Sequence, residues 1–147
     1  MTRTIIGVWG KANTGKTTTL ALLGHQLISA GATTGNNINH TDYQAIFQYK
    51  SATVGLQTYG DYAKVVREGL LYLGTQCDVL VMATRSLGYS VKELQDYAKR
   101  HGYRLIWATP LQLEGAQPKG SAAVRSLKDY SAEQLLKMVD DIIAGIL

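Results

Sequence analysis

The sequence predicts an α/β domain: a single three-layer sandwich whose sheet is mostly parallel and carries one antiparallel hairpin. Three observations lead there. Short apolar runs at residues 4–9, 78–84 (DVLVMAT) and 105–109 (LIWAT) have the length and composition of buried strands. Stretches with apolar residues at helical spacing separate them, and strands alternating with helices build parallel sheets. Two further strand-like runs, 43–49 and 52–59, are divided only by Lys50-Ser51, which is hairpin length. A chain of 147 residues is one domain's worth, and no repeat, linker or low-complexity tract divides it.

Taken in order, the first strand spans residues 4–9. The helix that follows covers 17–30, with Leu20, Leu23, Leu27 and Ile28 along one side and Gly31 as its terminating glycine. Residues 33–42 are rich in Thr, Gly and Asn and read as a flexible loop. After the hairpin, Asp61 is placed to cap a helix through its side chain. That helix carries Tyr62, Val65, Val66, Gly69, Leu70 and Leu73 on one face. Ser90 and Glu93 have the spacing of a capping box opening a helix with Val91, Leu94 and Ala98 inward, closed by Gly102. Residues 112–128 read as an exposed polar loop. Ser131 and Gln134 read as a second capping box, opening an amphipathic helix with Leu135, Val139, Ile142, Ile143 and Ile146 inward. Trp9 and Trp107 read as core residues, and Cys77 as an inert buried thiol.

Between the first strand and the first helix lies Gly10-Lys11-Ala12-Asn13-Thr14-Gly15-Lys16-Thr17. It fits G-x-x-x-x-G-K-[ST], a loop that cradles phosphate. The glycines let the backbone curl so that successive N–H groups point into one hollow, and the helix adds its positive end. Lys16 then reaches the outer phosphates, the Thr17 hydroxyl takes a Mg²⁺ position, and Thr18 completes the cradle. Ligands of such sheets bind beyond the carboxyl ends of the strands. Those ends carry Gly10, Gly60-Asp61, Thr84-Arg85 and Thr109-Pro110.

Composition excludes several classes. The net charge of +4 comes from scattered residues and supports no nucleic-acid partner by itself. One cysteine excludes an intrachain disulfide, and His25, His40 and His101 are too dispersed for an evident zinc site. No apolar run is long enough for a membrane span, and no signal peptide is visible, so a cytoplasmic, reducing compartment is expected. Lys119, Arg125 and Lys128 read either as a phosphate-closing flap or as a solvated loop.

The glycine loop in its strand–loop–helix setting resembles the P-loop nucleoside-triphosphatase superfamily, specifically over the first twenty residues. Lys11 after the first loop glycine is similar to the deviant loop of the partitioning and nitrogenase-iron-protein ATPases. That resemblance implies a homodimer in which Lys11 reaches the partner's phosphates; Ala12 and Asn13 depart from the glycines usual there. Gln57-Thr58-Tyr59-Gly60 is similar to the D-x-x-G switch, with Gln57 at the aspartate's place and Asp61 the nearest carboxylate. The guanine-reading N-K-x-D pattern is absent after the DVLVMAT strand, where Thr84-Arg85-Ser86-Leu87 stands, which favours ATP over GTP. The resemblance implies a Mg²⁺-dependent slow ATPase acting as a switch on a further protein. Lys16, Lys11 and Arg85 would be its cations, Gln57 or Asp61 would orient water, and Thr17 and Asp61 would serve Mg²⁺. A small-molecule or nucleotide kinase and a non-hydrolysing regulator remain open.

Overall fold

A computed structural model describes residues 1–10, 15–85, 88–110 and 120–147. The chain folds as an α/β sandwich around one six-stranded sheet in the order β2-β3-β4-β5-β1-β6. The strands are β1 (Thr4–Trp9), β2 (Thr33–Thr34), β3 (Gln44–Tyr49), β4 (Ala52–Gln57), β5 (Val79–Thr84) and β6 (Arg104–Ala108). The helices are α1 (Lys16–Ser29), α2 (Ala63–Leu73), α3 (Tyr89–His101) and α4 (Ala122–Ile143).

Strand β1 is paired in parallel with β5 on one side and β6 on the other, and β4 pairs in parallel with β5. Only β3 runs against the rest, through its antiparallel pairings with β4 and β2. The hairpin turns at Lys50, whose φ of 52° is left-handed. Alternate β1 side chains feed two cores. Ile6 and Val8 pack with Leu20, Leu23 and Leu27 of α1 and Ala132, Leu135 and Val139 of α4. Ile5 packs with Val66, Leu70 and Leu73 of α2 and Leu94 of α3 on the opposite face. Helices therefore cover both faces, α1 and α4 on one, α2 and α3 on the other. All six residues of β5 are buried, as a strand covered on both faces must be.

Several expected helix starts are corrected. Asp61 does not cap α2: the N-cap is Tyr62, with no side-chain cap bond, and the Asp61 carboxylate turns to Lys16. Ser90 opens no capping box, because α3 already begins at Tyr89 and the Ser90 hydroxyl accepts from Arg85 N–H. Ser131 is no helix start either. It sits inside α4, where its hydroxyl donates to Leu127 O at 3.0 Å, a bond to the preceding turn that a mid-helix serine can make. The true cap is Ser121, accepting from Val124 N–H. Residues 122–128 are thus helical rather than loop, while the 112–119 part of that expected loop lies outside the described residues. Residues 33–42 contain the short β2, held by Thr34 Oγ1 donating to Ile46 O.

The expected inner faces are trimmed at their edges. Ile28, Tyr62 and Ile146 are exposed, and Val65 and Val91 are half-buried. Gly31 and Gly102 do close their helices with positive φ. Cys77 is buried, and burial pushes its thiol up to about 12, which keeps it protonated and unreactive. Trp9 and Trp107 are half-buried, tilted against each other with ring centroids 5.6 Å apart. No helix among the described residues is long and apolar enough to cross a membrane.

Candidate functional site

The strand order creates a crevice. The chain leaves β1 into α1 on one face of the sheet and leaves the neighbouring β5 into α3 on the other. The two departures diverge at the carboxyl ends of adjacent strands, the position where open α/β sheets bind ligands. Lys16 fills this point. Its ammonium donates to Gly10 O at 2.7 Å, just past β1, and to Thr84 O at 2.8 Å, the last residue of β5. One cation thereby ties the two diverging strands together.

Asp61 reaches the same cation from beyond β4, with its carboxylate 3.5 Å from Lys16 Nζ. It gets there because Gly60 packs directly on the end of β5, where any Cβ would collide with the Ala83 carbonyl oxygen. Glycine is required at 60 for that close approach, not for its φ. The pair is unequal: the Lys16 side chain is 7% exposed, the Asp61 side chain 49%. Burial therefore dominates and holds Lys16 below the usual lysine pKa; Asp61 opposes the shift and the nearby Arg85 adds to it. Lys16 is a buried cation with an exchangeable, solvent-facing partner.

The start of α1 lies beside this lysine. Gly15 occupies the N-cap with φ 87°, a left-handed conformation, and its carbonyl accepts the first helical bond from Thr19 N–H. No side chain caps this end among the described residues, and the first turn holds no acidic residue. Its N–H groups thus lack the usual side-chain acceptors. Thr17 and Thr18 are half-buried in that turn. Thr19 is fully buried, with its hydroxyl unpartnered.

The structure brings together Gly10, Gly15, Lys16, Thr17, Asp61 and Arg85. Lys11, Ala12, Asn13 and Thr14 lie outside the described residues. Gln57 is not gathered with the others. Its side chain is wholly buried and lies against Gly69 of α2. Its amide donates to Tyr59 O and Val65 O at 3.0 and 3.1 Å, and its carbonyl accepts from Gln44. The alternation of β4 explains this: Gln57 points to the α2 layer, where a polar side chain must find partners.

For Mg²⁺ the relevant donors are the Thr17 hydroxyl and the Asp61 carboxylate. No group of three His, Cys, Asp or Glu gathers among the described residues. Mg²⁺ at phosphate sites needs only one or two protein oxygens, with phosphates and waters supplying the rest, so this sparse donor set fits it. Comparison with protein-family models, with curated proteins and with solved structures finds no match to this chain.

One residue of this neighbourhood is misread in sequence. Lys128, placed in a polar stretch of loop character, belongs to α4, and its Cε stands 3.1 Å from where a Cβ on Gly15 would lie. A signal existed: Lys128 continues, four residues upstream, the buried series Ala132, Leu135, Val139 and Ile142.

Proposed function

We propose that this protein binds Mg-ATP and acts as a slow ATPase whose nucleotide state works as a switch. The observation that carries the reading is Lys16: a desolvated ammonium at the divergence of β1 and β5, behind a helix start that no described side chain caps. Binding a triphosphate there exchanges the two carbonyls and Asp61 for phosphate oxygens, which are stronger partners for a cation. Chemistry at such sites is mostly positioning and neutralisation of charge. In this reading Lys16 and the loop amides hold the β and γ phosphates, and Thr17 takes a metal position. Asp61 would be released from Lys16 to serve a bound Mg²⁺, and Arg85 would supply further positive charge. Mg²⁺ would neutralise charge shared between the outer phosphates.

The base preference rests on the sequence Thr84-Arg85-Ser86-Leu87, which stands where a guanine-reading N-K-x-D pattern would carry its aspartate. A homodimer completed by Lys11, and a partner protein that reads the state of Asp61, belong to the same proposal. The placement of Gln57 favours one alternative, a binding regulator without hydrolysis, since its amide is committed elsewhere and Asp61 alone is left to orient water.

The test is thermal melting with Mg-ATP, Mg-GTP and no nucleotide. A ligand at 100 times its dissociation constant adds about 2.7 kcal/mol, a rise of roughly 5–10 °C for a domain of this size. The expected result is a rise with Mg-ATP that Lys16→Ala abolishes. No shift with either nucleotide would overturn the reading. Phosphate release from ATP by the wild type, lost in Lys16→Ala, separates the ATPase from the binding regulator.

A further inference from the structure

We infer that Lys128, delivered from the C-terminal half of the chain by α4, is an additional phosphate-binding cation of this site. The inference rests on the nucleotide reading above and extends it to a residue outside the glycine loop. Three observations converge on it.

The first is position. The Lys128 side chain lies along Gly15, with Cε 3.1 Å and Cγ and Cδ 3.9 Å from the place a Cβ would occupy. The loop glycine therefore serves two purposes, adopting φ 87° and leaving a groove for a lysine stem. Gly15 is the N-cap of α1, so the Lys128 stem lies beside the start of that helix.

The second is the helix face. Ala132, Leu135, Val139 and Ile142 are buried along one stripe of α4, and Lys128 stands one turn above Ala132 on that stripe. At this position a core residue would be expected. A lysine fits because α1 and α4 both begin at the carboxyl edge of the sheet, so the stripe climbs out of the core at Gly15. Burying the stem while presenting the charge is what long basic side chains do at such boundaries.

The third is charge. Lys128 is half-buried, yet it takes no ion pair or hydrogen bond among the described residues. Lys16, by contrast, has Asp61 and two carbonyls. A lysine with no anionic partner among the described residues, beside a helix start that none of them caps, is matched by a polyanion. Triphosphate carries more charge than diphosphate at its outer end, so Lys128 discriminates between them.

The experiment titrates wild type, Lys128→Met and Lys128→Arg with Mg-ATP and Mg-ADP at low ionic strength, by calorimetry. Methionine keeps an unbranched stem on Gly15 and removes only the charge. Lys128→Met should bind Mg-ATP about ten- to a hundredfold more weakly. It should lose less for Mg-ADP, melt within 2 °C of wild type without ligand, and show a flatter salt dependence. Lys128→Arg should restore most of the affinity. Unchanged Mg-ATP affinity in Lys128→Met, with normal wild-type binding, overturns the role of Lys128 and leaves the nucleotide reading standing. Equal losses for both nucleotides overturn the discrimination. Absence of wild-type binding overturns both proposals together.

Discussion

Lys16 and Gln57 are both buried polar side chains near the ends of neighbouring strands, and they teach opposite lessons. Gln57 donates twice to backbone carbonyls and accepts from Gln44, within a layer sealed by α2. Its polar groups are satisfied by a fixed framework, so it stabilises the fold and resists rearrangement. Lys16 is as deeply placed, but one of its three partners is a half-exposed carboxylate, and burial disfavours its charge. A polar group held at a cost, with a partner that faces solvent, suits binding. Burial alone does not distinguish structure from site; the exposure of the partners does.

The sharpest way to break this contrast is Gln57→Leu. It leaves the Gln44 amide without its acceptor and two carbonyls without a donor. The expected loss is about 1–3 kcal/mol of stability, read by urea unfolding, with Mg-ATP affinity nearly unchanged. A stable Gln57→Leu that no longer binds or hydrolyses ATP would reverse the roles assigned to the two residues.

The complementary change, Lys16→Met, has the opposite sign. The folded-state pKa of Lys16 is lowered, so the unfolded chain binds the extra proton and charging Lys16 opposes folding. Without nucleotide, Lys16→Met should melt above wild type at neutral pH. The gap should close as pH rises through the lowered pKa toward the ordinary lysine value, where both states become neutral. Such a gain in stability with loss of binding is the trade expected at a functional site. A variant that melts below wild type across the whole range would show that the bonds to Gly10 and Thr84 outweigh burial.

The smallest effect belongs to Asp61→Asn. Its carboxylate is half-exposed, so solvent screens the pair and ligand-free stability should change by less than ~0.5 kcal/mol near neutral pH. Its signature lies elsewhere: the Mg²⁺ requirement for tight ATP binding should weaken. Retention of a full Mg²⁺ requirement would remove Asp61 from the metal's surroundings.

The strands were legible in sequence because each is a short apolar run bounded by glycine or polar residues. β2 was not, since two threonines carry no periodic signal and hold their place through Ile46 and Asn36. Three side chains that looked like caps failed as caps, each for a local reason. Asp61 had a cation to meet, Ser90 a backbone amide, and Ser131 a carbonyl one turn back. Capping patterns record spacing only, and spacing cannot say which partner is nearer. The meeting of Gly10, Lys16 and Asp61 was foreshadowed by listing strand ends. The interposition of β5 between β4 and β1 was not, because strand order depends on packing between distant segments. Lys128 was hidden by the polar composition before it, which masked the first two turns of α4.

The pairing of β1 also bears on how the protein is made. Both neighbours of the first strand come from the second half of the chain: Thr4 is matched with Val79 on one side and Arg104 on the other. The hairpin of β3 and β4 closes over two residues and can form within microseconds. β1 must wait, and with it Gly10, whose tie to Thr84 through Lys16 requires a finished β5. During synthesis at roughly 5–20 residues per second, the apolar β1 spends several seconds without a partner. β1 is thus secured only after later segments, and it stays an unpaired hydrophobic strand until β5 and then β6 have been made.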